Sequence, residues 1–107
     1  MKHSLGEFEE LVLLIVGAWR DRAYGVLILK TLEEKVEKKV NISAVHVILK
    51  RLENKGFVKS RFGSPASNRG GRRKKFYVIT AFGKKLLDHQ YALRDNIYRQ
   101  IPEISFG

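Results

Sequence analysis

Apolar side chains near the start of the chain recur at helical spacing: Phe8, Leu11, Val12, Ile15 and Trp19 lie three or four residues apart, and Leu13, Leu14 and Val16 carry the apolar surface almost around the axis. This pattern predicts a helix over 5–19 that packs on more than one face. A polar break at 20–23 follows, and Tyr24-Gly25 opens a second helix. Its Val26, Leu29, Leu32 and Val36 form one stripe, Lys30, Glu33, Glu34, Glu37 and Lys38 face water, and it stops near Lys39. Asn41 can accept a hydrogen bond from the first free N–H groups of a third helix over roughly 42–55, with Ser43 as the alternative cap. Val45, Ile48, Leu49 and Leu52 turn inward there, which leaves Ser43, Ala44, His46, Val47, Lys50 and Arg51 outward. Gly56 supplies the left-handed residue that ends it.

The period then changes. Residues 57–62 and 73–79 are rich in Phe, Val, Tyr and Ile and read as two strands, joined by a long basic turn at 63–72. Thr80 caps a last helix over about 81–101, closed by Pro102, with Phe82, Leu86, Leu93, Ile97 and Ile101 on one side and Leu87, Tyr91 and Tyr98 on another. The order is helix, helix, helix, strand, strand, helix, a mainly α chain with one small β-hairpin. That is a winged helix-turn-helix in a single domain over 1–107, whose C-terminal helix is left over for dimerisation.

Charge turns this outline toward a partner. All of the net charge of +10 arises between Asn54 and Leu87, where ten Lys and Arg occur without one Asp or Glu; the remaining residues hold eleven of each sign. The bland reading is a solvated face that aids solubility. A one-signed cluster lying beside a capped helix and across a hairpin suits a polyphosphate better, because each neutralised phosphate releases condensed counterions. Arg69, Arg72, Arg73, Lys74 and Lys75 are expected to contribute more than Lys84 and Lys85, and in a strand Lys74 points opposite to Arg73 and Lys75.

The third helix fits the major groove, where Ser43, Ala44, His46 and Val47 would meet base edges and thymine methyls, with Lys50 and Arg51 alongside. Arg51 has an alternative in pairing with Glu53 or Glu34. Double-stranded DNA is thus the expected partner; a basic RNA-binding or ribosome-associated winged helix domain is the rival, weakened by the lack of paired sheet aromatics.

Other chemistry is poorly provided for. The absence of Cys removes disulfides, thiolate metal sites and Cys nucleophiles, and His3, His46 and His89 are spread along the chain, so no metal and no cofactor is expected. No catalytic motif is present, and an enzyme is not expected. The apolar run 11–16 is too short to span a membrane and is flanked by acids, which places the protein in the cytoplasm. A chain of 107 residues cannot easily cover both faces of its first helix and two stripes of its last, so a homodimer is expected.

Five stretches resemble the PadR-type transcriptional regulators: Leu5-Gly-Glu-Phe-Glu-Glu-Leu-Val-Leu-Leu14, Ala23-Tyr-Gly-Val26, Leu49-Lys-Arg-Leu-Glu-Asn-Lys-Gly-Phe-Val58, Gly70-Gly-Arg-Arg-Lys-Lys-Phe-Tyr77 and, just after it, Ile79-Thr-Ala-Phe-Gly83. The resemblance implies a sequence-specific repressor that binds a palindromic operator as a homodimer. DNA contacts would come from Tyr24 at the start of the second helix, from Asn41, Ser43, Ala44, His46, Val47, Lys50 and Arg51, and from the wing residues Arg69, Gly70, Gly71, Arg72, Arg73, Lys74 and Lys75. Phe8, Leu11, Leu86, Leu93, Ile97 and Tyr98 would form the dimer interface. Where the family commonly has Tyr in the recognition helix this chain has His46, which alters the donor pattern offered to an operator. Trp19, Tyr91 and Tyr98 are open to two readings, a dimer core or a pocket for a small aromatic effector, of which the core is favoured.

Overall fold

Helix α1 (Glu7–Ala18) starts where the Gly6 N–H donates to the Glu9 carboxylate at 3.2 Å, and its first turn gathers Glu7, Glu9 and Glu10 at the positive end of the helix dipole. The computed structural model describes residues 5–37, 39–63 and 73–104. Val12, Leu13 and Val16 are fully buried, and the Trp19 indole N–H after the helix donates to Thr31 Oγ1 at 3.0 Å. The expected polar break holds more structure than its composition suggests. After a 3₁₀ turn (Arg20–Arg22), β1 (Ala23–Tyr24) pairs antiparallel with a later strand, so the sheet has three strands rather than two.

Helix α2 (Gly25–Val36) ends at Glu37, whose φ of 57° is the left-handed conformation of a helix C-cap. Its inward stripe is rotated from the expected one: Gly25, Ile28 and Leu32 are buried, Leu29 and Val36 are half-buried, and Val26 is exposed.

Helix α3 (Ile42–Asn54) matches its local signals. The Asn41 Oδ1 accepts from the Ala44 N–H at 2.8 Å, Val45, Ile48, Leu49 and Leu52 face the core, and Gly56 has the expected left-handed φ of 83°. Strands β2 (Val58–Phe62) and β3 (Lys75–Ile79) pair antiparallel with Phe62 opposite Lys75, and the sheet order is β1-β3-β2. Phe57 precedes β2 as a fully buried side chain, and Arg73 and Lys74 precede β3. Beyond Phe62, the Gly63 N–H still donates to the Lys74 carbonyl at 2.7 Å.

Helix α4 (Ala81–Arg99) is tied to the sheet at its start. Thr80 Oγ1 accepts from the Gly83 N–H at 3.0 Å and donates to the Gly56 carbonyl at 2.7 Å, while the Phe82 ring stacks on Phe57 with centroids 5.0 Å apart. Leu86 and Leu87 are buried, and beyond Gln90 the helix is mostly exposed, held to α1 by an ion pair between Arg94 and Glu10 at 3.6 Å. Leu86, expected at a dimer interface, is a correction: it is fully buried in the subunit's own core and has no surface left to offer a partner. No helix among the described residues is long and apolar enough to cross a membrane.

Candidate nucleic-acid interface

The outward face of α3 is built by its burial pattern. With Val45, Ile48, Leu49 and Leu52 inside, Ser43, His46, Val47, Lys50 and Arg51 are exposed and Ala44 is half-buried. Asn41 stands at the same end, but its side-chain oxygen is committed to the Ala44 N–H, which leaves only its amide nitrogen to donate outward. Arg51 is exposed with neither expected partner: Glu53 is engaged elsewhere, and no ion pair of Arg51 is found among the described residues.

His46 brings the second helix to this face. Its ring lies against Gly25, where an added Cβ would come within 2.8 Å of Cε1, so only a bare backbone allows the close approach. Tyr24, next to Gly25, is edge-on to Phe76 with centroids 5.9 Å apart, and the Lys74 Nζ stands 4.3 Å from the Tyr24 ring centroid. The pair places a cation and a phenol together at the start of α2.

Lys74 and Lys75 alternate as expected. Lys74 lies on Tyr24, whereas Lys75 turns to the other side of the hairpin, where its Nζ is 4.0 Å from Glu53 Oε1 and 5.7 Å from the Tyr77 ring centroid. A groove of about 360 Å³ separates α3 from β3 here, lined by His46, Lys50, Glu53, Asn54, Lys75 and Tyr77. Burial raises the Tyr77 phenol above its ordinary value of 10.0, and the Glu53 charge adds to the rise. Arg61 is a cation that sequence reasoning did not single out: it stacks 5.0 Å from the Phe76 ring centroid and donates to the Asp21 carbonyl at 3.2 Å. A basic residue opposite an aromatic across a hairpin was its only sequence signal.

The basic interval does not all converge on this face. Lys55 pairs with Glu9 on α1 at 3.6 Å, and Lys84 pairs with Asp88 one turn along α4. Arg69, Gly70, Gly71 and Arg72, expected at the tip of the wing, lie outside the described residues. Two groups result: His46, Lys50 and Lys75 along the α3–β3 groove, and Tyr24 with Lys74 at the start of α2, next to the Gly25 against which His46 packs.

With the helices, the hairpin and the cation-bearing outward face of α3 described, comparison with known proteins decides the family. The model of the transcriptional regulator PadR-like family matches residues 12–89. The chain belongs to this family. Like other PadR-like proteins it is a DNA-binding transcription regulator, a class defined by regulation and not by catalysis. Solved structures agree on the fold. A PadR family regulator from Clostridium difficile is 28% identical, with a TM-score of 0.73, over 88% of this chain and 93% of that one. A Streptococcus mutans protein is 26% identical, with a TM-score of 0.65, over 98% and 100% of the two chains. A PadR-like transcription factor from Bacteroides fragilis is 21% identical, with a TM-score of 0.73, over 86% and 84%. No curated protein matches the chain.

The side chains expected at a dimer interface separate into two groups. Phe8 and Leu11 are half-buried against the subunit's own core, whereas Leu93, Ile97 and Tyr98 on the far part of α4 are 54%, 55% and 72% exposed. Trp19 is held at the α1–α2 junction by Thr31 and does not join Tyr91 and Tyr98, which line a shallow cavity on α4 with Arg94 and Asp95.

Proposed function

We propose that the chain is a homodimeric repressor of the PadR-like type that acts in the cytoplasm as one winged helix domain and binds a palindromic operator. The observation that carries the reading is the groove in which His46 and Lys50 of α3 meet Lys75 of the hairpin, with Tyr24 and its Lys74 partner next to the Gly25 on which His46 packs: candidate base-reading side chains have cations close by. Ser43, Ala44, His46 and Val47 then read bases in the major groove. Asn41, Lys50, Arg51 and Tyr24 grip the flanking backbone, together with the wing residues Arg69, Gly70, Gly71, Arg72, Arg73, Lys74 and Lys75.

Dimerisation is supported by apolar side chains on α4 that the subunit leaves uncovered: Leu93, Ile97 and Tyr98, joined by exposed Leu14 on α1. Phe8 and Leu11 border that surface from within. A small aromatic effector, the remaining expected partner, is assigned to the same α1–α4 side, where Leu14, Leu87 and Tyr91 line a cavity of about 200 Å³. Selection of duplexes from a random pool at fixed salt tests the reading: the expected product is an inverted repeat whose half-sites lie about one helical turn, roughly 34 Å, apart. Recovery of unrelated sequences with no dyad, or preference for structured RNA in direct competition, overturns it.

A further inference from the structure

The acid-free interval begins directly after Glu53, and the fold turns this last acid back onto the interval's own surface. The Glu53 carboxylate is held from two strands. Oε2 accepts from the Ser60 hydroxyl on β2, and Oε1 is 4.0 Å from Lys75 Nζ at the start of β3. The Lys75 ammonium lies 5.8 Å from the Phe62 ring centroid and 5.7 Å from that of Tyr77, so two aromatic faces accompany it to the carboxylate. His46, Lys50 and Asn54 line the same groove, which makes Glu53 a fixed anion on the flank of the recognition helix that faces the wing.

A carboxylate in that place works against a polyphosphate. It repels the nearest backbone phosphate, and it neutralises one of the cations that would otherwise release counterions. A surface selected only for tight binding to any duplex has no use for it. A surface selected for discrimination does, because base contacts are untouched by Glu53 whereas sequence-independent attraction is lowered by it.

We propose that Glu53 is an electrostatic brake on duplex binding: it holds the Lys75 ammonium in the free protein and opposes its transfer to a backbone phosphate, so that non-specific affinity falls while readout by the start of α3 is preserved. The proposal rests on the DNA-binding reading above and names a specificity-determining residue within it.

Glu53→Gln tests the brake, because the amide keeps the side chain's size and an acceptor for the Ser60 hydroxyl but removes the charge. Affinity for a random-sequence duplex and for the selected operator is measured across a salt series. The variant is expected to bind the random duplex roughly three- to tenfold tighter at low salt, with a slope of log K against log salt steeper by about 0.9, the value of one further phosphate neutralised. Operator affinity rises less, so the specificity ratio falls. A slope equal to or shallower than that of the wild type overturns the brake. A second measurement needs no variant: the ¹⁵Nζ resonance of Lys75 in the wild-type chain is expected to shift when duplex is added and to return as salt is raised, and a resonance indifferent to duplex overturns the transfer. A wild type that fails to bind duplex in a salt-dependent way overturns the DNA-binding reading and the brake with it; wild-type binding with an unmoved Glu53→Gln slope overturns the brake alone.

Discussion

Gly83 shows how one missing methyl can set the packing of a whole helix. A Cβ there would lie 2.3 Å from the Phe57 carbonyl oxygen, a backbone atom that cannot step aside. Ala usually gains about 1 kcal/mol over Gly inside a helix. Here the clash reverses the sign, and Gly83→Ala is expected to destabilise by about 2–3 kcal/mol, read as a fall in thermal midpoint by circular dichroism. Tyr77 carries a pH-dependent contribution of similar locality. Burial, then the Glu53 charge, keeps its folded phenol neutral above the ordinary value of 10.0. The unfolded chain therefore loses the proton first, so the stability is fully present below that value and is lost as pH rises from it through the folded pKa. Melting from pH 8 to 11 is expected to show this decline, and Tyr77→Phe to lessen it. At His46, packed on Gly25 yet open to solvent, replacement by Ala is expected to change the sequences recovered from a random pool more than it changes bulk affinity; an unaltered preference defeats the base-reading role.

Among the elements, α3 owes its boundaries to local chemistry. The Asn41 cap and the left-handed Gly56 are single-residue signals, each read correctly without tertiary information. Asn41→Ala is expected to cost about 1 kcal/mol in chemical denaturation, and to weaken duplex binding as well because the frayed turn is the one proposed to enter the groove. Helix α2 behaves differently. Its apolar residues are too numerous to define one face, so periodicity alone admits a stripe through Val26, whereas the packed fold buries the stripe through Ile28. A two-residue strand such as β1 has no propensity signal of its own; it exists because the edge of β3 has unpaired backbone groups to meet.

At the scale of the molecule, the distal half of α4 is the feature a lone subunit does not account for. Leu93 and Ile97 are more than half exposed on a helix that has left its core behind. Replacing both by Glu is expected to give a monomer by light scattering with an intact far-ultraviolet spectrum. Operator affinity should then fall about a hundredfold or more, the loss that follows when two linked half-site contacts become independent. A variant that remains dimeric defeats the assignment of this surface. The same scale explains why the basic interval is not one interface: Lys55 and Lys84 are carried by the fold to acids on α1 and α4, away from the groove.

What the amino-acid order determined by itself is whatever depends on neighbours within a turn or two: the helices and their caps, the alternation that sends Lys74 and Lys75 to opposite sides, the charge that marks a polyanion partner, and the family. Tertiary structure decided what depends on distant segments meeting. It buried Leu86 in the subunit's own core, set His46 on Gly25, and returned Glu53 to the surface of the acid-free interval. The physical reason is range: caps and periodicity act through bonds three or four residues long, whereas the destination of a side chain is set by whichever surfaces remain uncovered once the core has closed.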